Sequence, residues 1–262
     1  MTRAGKILYN RLGIIIKEWL MIQIGFKTDP GKTRSVNEDA LFVMPKQNIY
    51  IVADGVGGHN AGELASRTAV GCIAEYIAHN PIPKALREEA IKKYFQTCMD
   101  MANTSVVELS KVGREYKGMA TTAVILYIAS KKAYISNVGD SRAYLIRKET
   151  IQQITVDHTL VSQLLKEGTI TKEEAWDHPM NNMITRALGG ETHVNADFFQ
   201  IDIIKDDILM LCTDGLHNEI PEQQMVAILK NSRTMHDACS NLVRSANDHA
   251  GKDNITAICV RI

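Results

Sequence analysis

The chain has few cysteines and no pair of them at the spacing of a metal or redox motif. The 262 residues include five, an odd number, at widely separated positions: Cys72, Cys98, Cys212, Cys239 and Cys259. A disulfide framework needs an even set in a short secreted chain, and a structural zinc site usually needs a CxxC pair. The cysteines therefore indicate reduced, buried thiols in a cytosolic protein.

An excess of charge of either sign is also lacking. Lys and Arg together number 30, as do Asp and Glu, so the formal net charge is zero. A nucleic-acid-binding protein would be expected to have a basic excess. No uninterrupted apolar stretch is long enough to cross a bilayer, and there are no internal repeats or low-complexity segments. We therefore expect no nucleic-acid partner, no transmembrane segment and an ordinary globular protein of one large domain or two small ones.

Residues 1–20 are a basic segment with apolar residues at helical spacing, which predicts an amphipathic helix. Its apolar positions are Ile7, Leu8, Leu12, Ile15, Ile16, Trp19 and Leu20. Such a helix could lie on a membrane surface or on a partner, or pack on its own domain. Alternatively, Met21 is the natural start of the chain. A signal peptide is not indicated, because no clean apolar core precedes a small-residue cleavage site.

From residue 21 onward, strand and helix patterns alternate without a linker. Period-two apolar patterns predict strands near 21–27, 40–44, 48–53, 121–129, 131–139, 142–148, 151–155, 197–204, 207–213 and 255–262. Helical periodicity predicts helices at 62–80, 86–109, 221–230 and 234–249. Consecutive strands with such short connections must be antiparallel. We therefore expect an α+β fold in which two antiparallel β-sheets pack face to face, flanked by helices.

Acidic residues stand where several of the apolar runs stop or start. Asp54, Asp140 and Asp214 follow such runs, Asp253 precedes the last one, and Glu38 and Asp39 are adjacent near the N-terminus. Strands of one sheet deliver their ends to a common edge, so these carboxylates could converge. Convergent carboxylates cannot all stay ionised unless something positive lies among them. Oxygen ligands suit hard cations such as Mg²⁺ or Mn²⁺, which indicates a metal-dependent enzyme.

Each of these acidic residues also has a simpler interpretation. An Asp-Gly pair is most often a tight hairpin turn, Asp140 in GDSR could be a turn residue, and Asp253 could cap a turn. The sequences after Asp54-Gly55 and Asp214-Gly215 lead into helices, however, whereas a hairpin needs a strand on both sides. Arg34 precedes Glu38 by four residues, and its guanidinium could bind a phosphate or form an ordinary surface ion pair.

Taken together, these segments resemble the metal-dependent protein phosphatases of the type 2C class, in their bacterial Ser/Thr form. The matching motifs are TDPGKTRSVNED (28–39), VADGVGGHNAGELAS (52–66), GMATTAV (118–124), NVGDSRAYLI (137–146), ITVDHTL (154–160), ITRALGG (184–190), LCTDGLHNEI (211–220) and GKDNITAICV (251–260). The resemblance covers residues 21–262, which would be the catalytic domain. It implies a four-layer αββα sandwich with a site for two or three Mn²⁺ or Mg²⁺ ions at one end of the sheets.

The resemblance also implies a role for each site residue. Asp54 would bridge the two central metals, Asp214 and Asp253 would complete the first site, and the Gly55 carbonyl and Glu38 would serve the second. Asp39 would lie behind these ligands, and Asp140 would hold a third, weaker metal together with Asp214. Arg34 would bind the substrate phosphate. A metal-bound hydroxide would attack phosphorus in line, without a phosphoenzyme.

The identity of the general acid is open. Eukaryotic members of the family carry DGH, whereas this chain has Val56 at the position of that histidine. His59, three residues further on, is a candidate for the role, and a purely structural part for His59 is the alternative. His158 begins the excursion at 157–190, which contains short helical pieces at 159–168 and 171–176. This excursion resembles the flap that borders the catalytic cleft of the family, and 157–190 is called the flap below.

Three functions follow from the resemblance. The first is a phosphoserine/phosphothreonine phosphatase that acts on phosphorylated proteins, a partner Ser/Thr kinase and the targets of that kinase. The second is a partner-switching phosphatase for one small regulatory protein. The third is a pseudophosphatase scaffold, which the intact Asp54, Asp214 and Asp253 disfavour. We expect a cytoplasmic monomer, with peripheral membrane contact through residues 1–20 left open.

Overall fold

The computed structural model describes residues 22–58, 61–83, 87–171, 174–175, 178–180 and 183–262. The segment predicted as an amphipathic helix at 1–20 therefore lies outside the described residues, and so does His59. In the described part of the chain, no helix is both long enough and apolar enough to pass through a membrane.

Two antiparallel sheets form the centre of the molecule. Their strands are β1 (Gln23–Asp29), β2 (Asp39–Met44), β3 (Ile49–Val56), β4 (Ala120–Thr121), β5 (Ala123–Ala129), β6 (Lys132–Val138), β7 (Arg142–Arg147), β8 (Thr150–Gln153), β9 (Asp197–Asp202), β10 (Ile208–Cys212) and β11 (Ile255–Arg261). One sheet has five strands in the order β1-β11-β10-β7-β8, and the other has six, in the order β2-β3-β5-β6-β9 with β4 on β3. The antiparallel pairing predicted for consecutive strands is confirmed for β5 with β6 and for β7 with β8, whereas β6 and β7 lie in different sheets.

Four long helices cover the two outer faces of the sheets, and two short ones lie in the flap and directly after β10. They are α1 (Ala61–His79), α2 (Glu88–Leu109), α3 (Leu160–Lys166), α4 (Asp214–His217), α5 (Glu222–Asn231) and α6 (Met235–His249), with a 3₁₀ turn at Arg114–Tyr116. Helices α1 and α2 pack on the six-stranded sheet, and α5 and α6 pack on the five-stranded sheet. A third apolar cluster fills the space between the sheets. The predicted αββα sandwich is confirmed.

The alternation within β3 shows why the sequence folds into these layers. Tyr50 and Val52 point into the core between the sheets, whereas Ile49 and Ile51 point toward α1 and α2. All four side chains are buried, because the sheet is covered on both faces. Such a strand reads as a continuous apolar run, and the charged residue that ends the run, Asp54, lies at the end of the sheet.

The flap leaves the five-stranded sheet after β8 and ends before β9, which belongs to the six-stranded sheet. Its first helical piece is α3, capped by Thr159, whose side chain accepts a hydrogen bond from Ser162 N at 3.2 Å. The second predicted piece, at 171–176, falls partly outside the described residues. The two ends of the flap meet each other, since Thr159 and Ile184 form an isolated β-bridge.

Candidate active site

The sheet register brings the predicted acidic residues to one end of the sandwich. Cys212, the last residue of β10, is opposite Arg142 of β7 and Ala257 of β11. The C-terminal end of β10 therefore meets the N-terminal ends of both neighbours. Asp214 follows β10, and the loops that carry Asp140 and Asp253 lead into β7 and β11.

In the other sheet, Asp39 at the start of β2 is the direct cross-strand partner of Asp54 near the end of β3. Asp39 is buried, and its Oδ2 accepts a hydrogen bond from Thr213 Oγ1 at 2.9 Å. Its Oδ1 is buried without a hydrogen-bond partner among the described residues. A buried carboxylate oxygen without a partner is costly, because it has lost water and gained nothing in exchange.

The five aspartates form one electrostatic unit. Burial raises the pKa of Asp54 well above its usual value, and the charges of Asp39, Asp214, Asp140 and Asp253 raise it further. Burial also raises the pKa of Asp39 and of Asp140 to about 7. Burial and the charge of Asp253 raise the pKa of Asp214 to about 6, although a hydrogen bond with Asp54 opposes this. Carboxylates this close disfavour each other's ionisation, and a bound cation would reverse the effect.

Glu38 and the Gly55 carbonyl converge on the start of α1. A Cβ atom at Gly62 would lie 2.5 Å from Glu38 Oε1 and 2.7 Å from Gly55 O, closer than side chains approach. Gly55 N also donates a hydrogen bond to the Glu38 carbonyl at 3.1 Å. The absence of a side chain at Gly62 therefore leaves room for two oxygen atoms, which the sequence predicts as ligands of the second metal.

Arg34 reaches the cluster through an ion pair with Asp253. Its NH2 donates to Asp253 Oδ2 at 2.9 Å, with the two side chains 48% and 37% exposed. Among the described residues, no three His, Cys, Asp or Glu side chains already have the geometry of a metal-binding group. One of the predicted ligands, Asp253, is turned toward this guanidinium.

Neutral side chains that the sequence analysis did not identify hold the cluster in place. Asn254 accepts a hydrogen bond from Glu38 N at 2.7 Å and donates to the carbonyls of Pro30 and Val36. The buried Thr122 hydroxyl accepts from Asp54 N at 2.8 Å and lies 2.7 Å from the Ser141 hydroxyl. Neutral hydrogen-bonding residues have no periodic pattern, so the sequence does not reveal them. Asn254 is the exception, because it directly follows the predicted ligand Asp253.

These residues fit a divalent cation on their own chemistry. The donors are carboxylate and carbonyl oxygens, which hard ions such as Mg²⁺ and Mn²⁺ prefer. The buried Asp39 oxygen without a partner and the cradle at Gly62 both indicate a group that brings positive charge. The structure thus brings together Glu38, Asp39, Asp54, Gly55, Asp140, Asp214, Asp253 and Arg34, while His59 lies outside the described residues.

Comparison with known proteins agrees with this arrangement. The sequence profile described as Protein phosphatase 2C matches residues 31–254. The chain is 40% identical over 238 residues to the serine/threonine phosphatase stp of Listeria innocua, with 90% of this chain and 94% of the relative covered. These matches confirm the predicted family and the predicted enzyme class.

Solved structures show the same fold. The S. agalactiae serine/threonine phosphatase superposes with a TM-score of 0.86 at 31% identity, over 92% of this chain and 99% of that one. The catalytic domain of the phosphatase PstP, solved in complex with 2 manganese ions, superposes with a TM-score of 0.80 at 27% identity, over 92% and 97% of the two chains. The chain belongs to the protein phosphatase 2C family, whose members are metal-dependent protein serine/threonine phosphatases.

Proposed function

We propose that this chain removes phosphate from phosphoserine and phosphothreonine of proteins at the carboxylate cluster, and that it opposes a protein Ser/Thr kinase. The observation that carries the proposal is the convergence of five aspartates, from both sheets, on one end of the sandwich. Buried acidic residues that raise each other's pKa are costly for folding, which favours a functional reason for the cluster.

The residues divide between two central cation sites and a weaker third. Asp54, Asp214 and Asp253 would hold the first cation, while Asp54, Glu38 and the Gly55 carbonyl would hold the second. Asp140 would hold the third together with Asp214, and Asp39 would support Asp54 from the neighbouring strand. Mn²⁺ or Mg²⁺ held by these residues would supply positive charge near the phosphate oxygens and would lower the pKa of a bound water molecule.

Arg34 would bind the phosphate group of the substrate. Its NH2 is directed to the cluster by the ion pair with Asp253. A guanidinium has five N–H donors in a fixed fork, so phosphate oxygens can bind donors that Asp253 does not use. Because the side chain is half exposed, a phosphorylated side chain can reach it from solvent.

The proton donor for the leaving serine or threonine oxygen stays a prediction. Val56, at the position of the eukaryotic histidine, is 37% exposed and has no titratable group. His59 is therefore retained as a candidate general acid on its position in the sequence alone.

Arg34→Ala tests the phosphate-binding role. Loss of a charged hydrogen-bond donor should raise KM for a phosphothreonine peptide by about 10–100-fold, with Mn²⁺ binding retained. The matched control is Arg67→Ala, which removes an exposed arginine paired with Glu63 on α1 and should leave KM unchanged. An unchanged KM in the Arg34 variant would remove this residue from the proposal.

The proposed substrate class needs its own measurement. A purified autophosphorylated Ser/Thr kinase and one of its phosphorylated targets would be incubated with the chain and Mn²⁺, and phosphate loss followed by mass spectrometry. We expect phosphoserine and phosphothreonine to be lost and phosphotyrosine to persist. Loss from peptides but not from the kinase or its target would contradict the proposed opposition to a kinase.

A further inference from the structure

The first end of the flap is joined to the loop that carries Asp140. The backbone N–H of His158 donates to the Gly139 carbonyl at 3.1 Å. In return, the Gly139 N–H donates to Nδ1 of the His158 ring at 3.0 Å. The side chain is 7% exposed, so water does not replace these bonds readily. One residue of the flap thus holds both polar groups of the residue immediately before Asp140.

The hydrogen bonds define the tautomer of the His158 ring. Because Nδ1 accepts from Gly139, the ring proton of neutral histidine is on Nε2. Nε2 faces Asp197 Oδ2 at 3.2 Å and also lies 3.0 Å from Arg186 NH1, which donates to Asp197 Oδ1 at 2.8 Å. Burial lowers the pKa of His158 from its usual value, which favours this neutral form. The ring is therefore held between the Asp140 loop on one side and β9 on the other.

Gly139 has no side chain of its own to fix the orientation of the loop. Its φ of +101° lies in the left-handed region, and a Cβ atom there would lie 2.5 Å from Thr122 Cγ2. The peptides on either side of Gly139 consequently depend on hydrogen bonds. The Gly139 N–H donates to His158 Nδ1, and the Gly139 carbonyl accepts from the His158 N–H and from Asn137 Nδ2 at 3.3 Å. The next carbonyl along the chain, that of Asp140, is 3.1 Å from Nε2 of His217 on α4.

The last part of the flap is joined to β4, the short strand beside Asp54. Leu188 and Thr121 exchange two backbone hydrogen bonds of 2.8 and 2.9 Å. The Thr121 hydroxyl also donates to the Asp54 carbonyl at 2.9 Å. Each end of the flap therefore contacts the backbone beside a predicted metal ligand. Among these contacts within the described residues, only the one made by the His158 ring uses a titratable side chain.

We propose that His158 is a positioning residue that couples the flap to Asp140. When Nδ1 accepts from Gly139, the Asp140 carboxylate is held toward the cluster, and the weakest cation site is complete. Loss of this bond frees the Val138–Gly139 peptide, directly before Asp140, to rotate and weakens that site. Because such coupling is reciprocal, occupation of the weak site also holds the first end of the flap. This inference rests on the proposed function, since it assigns Asp140 to a cation.

Two substitutions of His158 separate its two hydrogen bonds. His158→Asn keeps an oxygen acceptor near the place of Nδ1, whereas His158→Gln keeps an amide donor near the place of Nε2 and loses the acceptor. Thr159→Ala is the control, because it removes the cap of α3 and weakens the flap without touching Gly139. Mn²⁺ binding by calorimetry and amide hydrogen exchange at residues 139–141 would be measured for all four proteins.

We expect His158→Gln to weaken the weakest Mn²⁺ site by about tenfold, as the loss of a buried hydrogen bond predicts. The same variant should speed exchange at residues 139–141, and His158→Asn should restore both properties to within about twofold of the wild type. If His158→Gln bound Mn²⁺ and exchanged its amides as the wild type does, the proposal would be overturned. An equal loss in Thr159→Ala would also overturn it, because flap stability in general would then be the cause.

Failure of the proposed function would be distinguishable from failure of this inference. If the wild-type protein bound Mn²⁺ but did not hydrolyse phosphopeptides, the proposed function would be wrong. The exchange rates at residues 139–141 would still decide whether His158 holds the loop, because that measurement needs neither substrate nor metal.

Discussion

At the scale of single residues, the site is a set of charges that opposes the stability of the protein that carries it. Asp39 and Asp140 are buried, and burial and neighbouring charges raise the pKa of Asp39, Asp54, Asp140 and Asp214. The apolar clusters that flank the sheets supply the free energy that holds them together. Activity and metal-free stability should therefore change in opposite directions when one of these charges is removed.

Asp54→Asn tests this opposition. The variant should lose nearly all phosphatase activity, because a cation ligand is lost. In EDTA it should unfold at a higher temperature than the wild type, since one source of repulsion is gone. A gain of about 1 kcal/mol corresponds to about 2–4 °C at this chain length. Asp202→Asn, at a largely exposed side chain on β9, is the control and should change neither property. Wild-type turnover in Asp54→Asn at saturating Mn²⁺ would contradict the assignment.

His158 should make stability depend on pH in a defined direction. Burial and the Arg186 charge lower its pKa in the folded protein, while Asp197 and Asp157 oppose this. The unfolded chain therefore takes up the proton first as the pH falls, so the contribution of His158 to stability is complete above about pH 6.5 and is lost below it.

The measurement is the change in unfolding free energy between pH 7.5 and pH 5.5 in EDTA, compared between the wild type and His158→Gln. Carboxylates that neither contact His158 nor lie in the Asp140 loop titrate alike in both proteins, so their contribution cancels in the comparison. Stability should fall more, or rise less, in the wild type than in the variant on acidification. Identical pH profiles would show that His158 titrates equally in the folded and unfolded states.

The sequence alone located the charged members of the site better than their neutral supports. Asp54, Asp214 and Asp140 were predictable because each follows an apolar strand pattern, which is where a sheet delivers a side chain to its edge. Thr122 and Ser141 were not, because a hydroxyl that bonds backbone gives the same sequence signal whether or not it lies beside a metal ligand. The direct bond between Arg34 and Asp253 was not predictable either, since it joins residues that are distant in sequence.

At the scale of elements, periodicity predicted the long helices and strands because each buries one face or both. The predicted helix at 62–80 is observed as Ala61–His79, and the strand at 255–262 as Ile255–Arg261. Two short elements were missed. Strand β4 has two residues and α4 has four, which is too little for a period to show. Both lie at the site, where α4 begins with Asp214 and β4 pairs with Gly55.

Helix α1 contains a matched pair of glycines that tests the second cation site. Gly62→Ala would push a Cβ atom against Glu38 Oε1 and Gly55 O, and should weaken Mn²⁺ binding and turnover by about tenfold or more. Gly71→Ala meets no atom within 4 Å in the same helix, and should stabilise it by up to about 1 kcal/mol without loss of activity. Calorimetry with Mn²⁺ and thermal unfolding distinguish the two. Equal activity in both variants would show that Glu38 and Gly55 do not act at this cradle.

At the scale of the whole molecule, the order of strands within each sheet could not be predicted from the sequence pattern. Strand β1 pairs with β11, so that Gln23 is opposite Arg261, and neither segment carries a signal of the other. The layered architecture was expected from the resemblance to the type 2C phosphatases and is confirmed by the solved relatives. The expected monomeric state and cytoplasmic location stay predictions.

Removal of residues 1–20 tests the predicted division of the chain. The first described strand begins at Gln23 and is held by β11 and α6. Deletion should therefore leave kcat for a phosphothreonine peptide within about twofold of the full chain. A deletion that extends through Phe26 would remove half of β1 and should unfold the protein, which serves as the contrast. A collapse in solubility or turnover on removal of 1–20 alone would place that segment within the catalytic domain.

The most direct test of metal-dependent phosphatase activity is hydrolysis of a phosphothreonine peptide by the purified chain with Mn²⁺, with Mg²⁺ and with EDTA. Folding would be checked by circular dichroism in each condition, so that lost activity is not confused with lost structure. Turnover that requires Mn²⁺ or Mg²⁺ and disappears in EDTA is the predicted result. Turnover that persists in EDTA, or a folded protein that is inactive with either metal, would contradict a catalytic role for the carboxylate cluster.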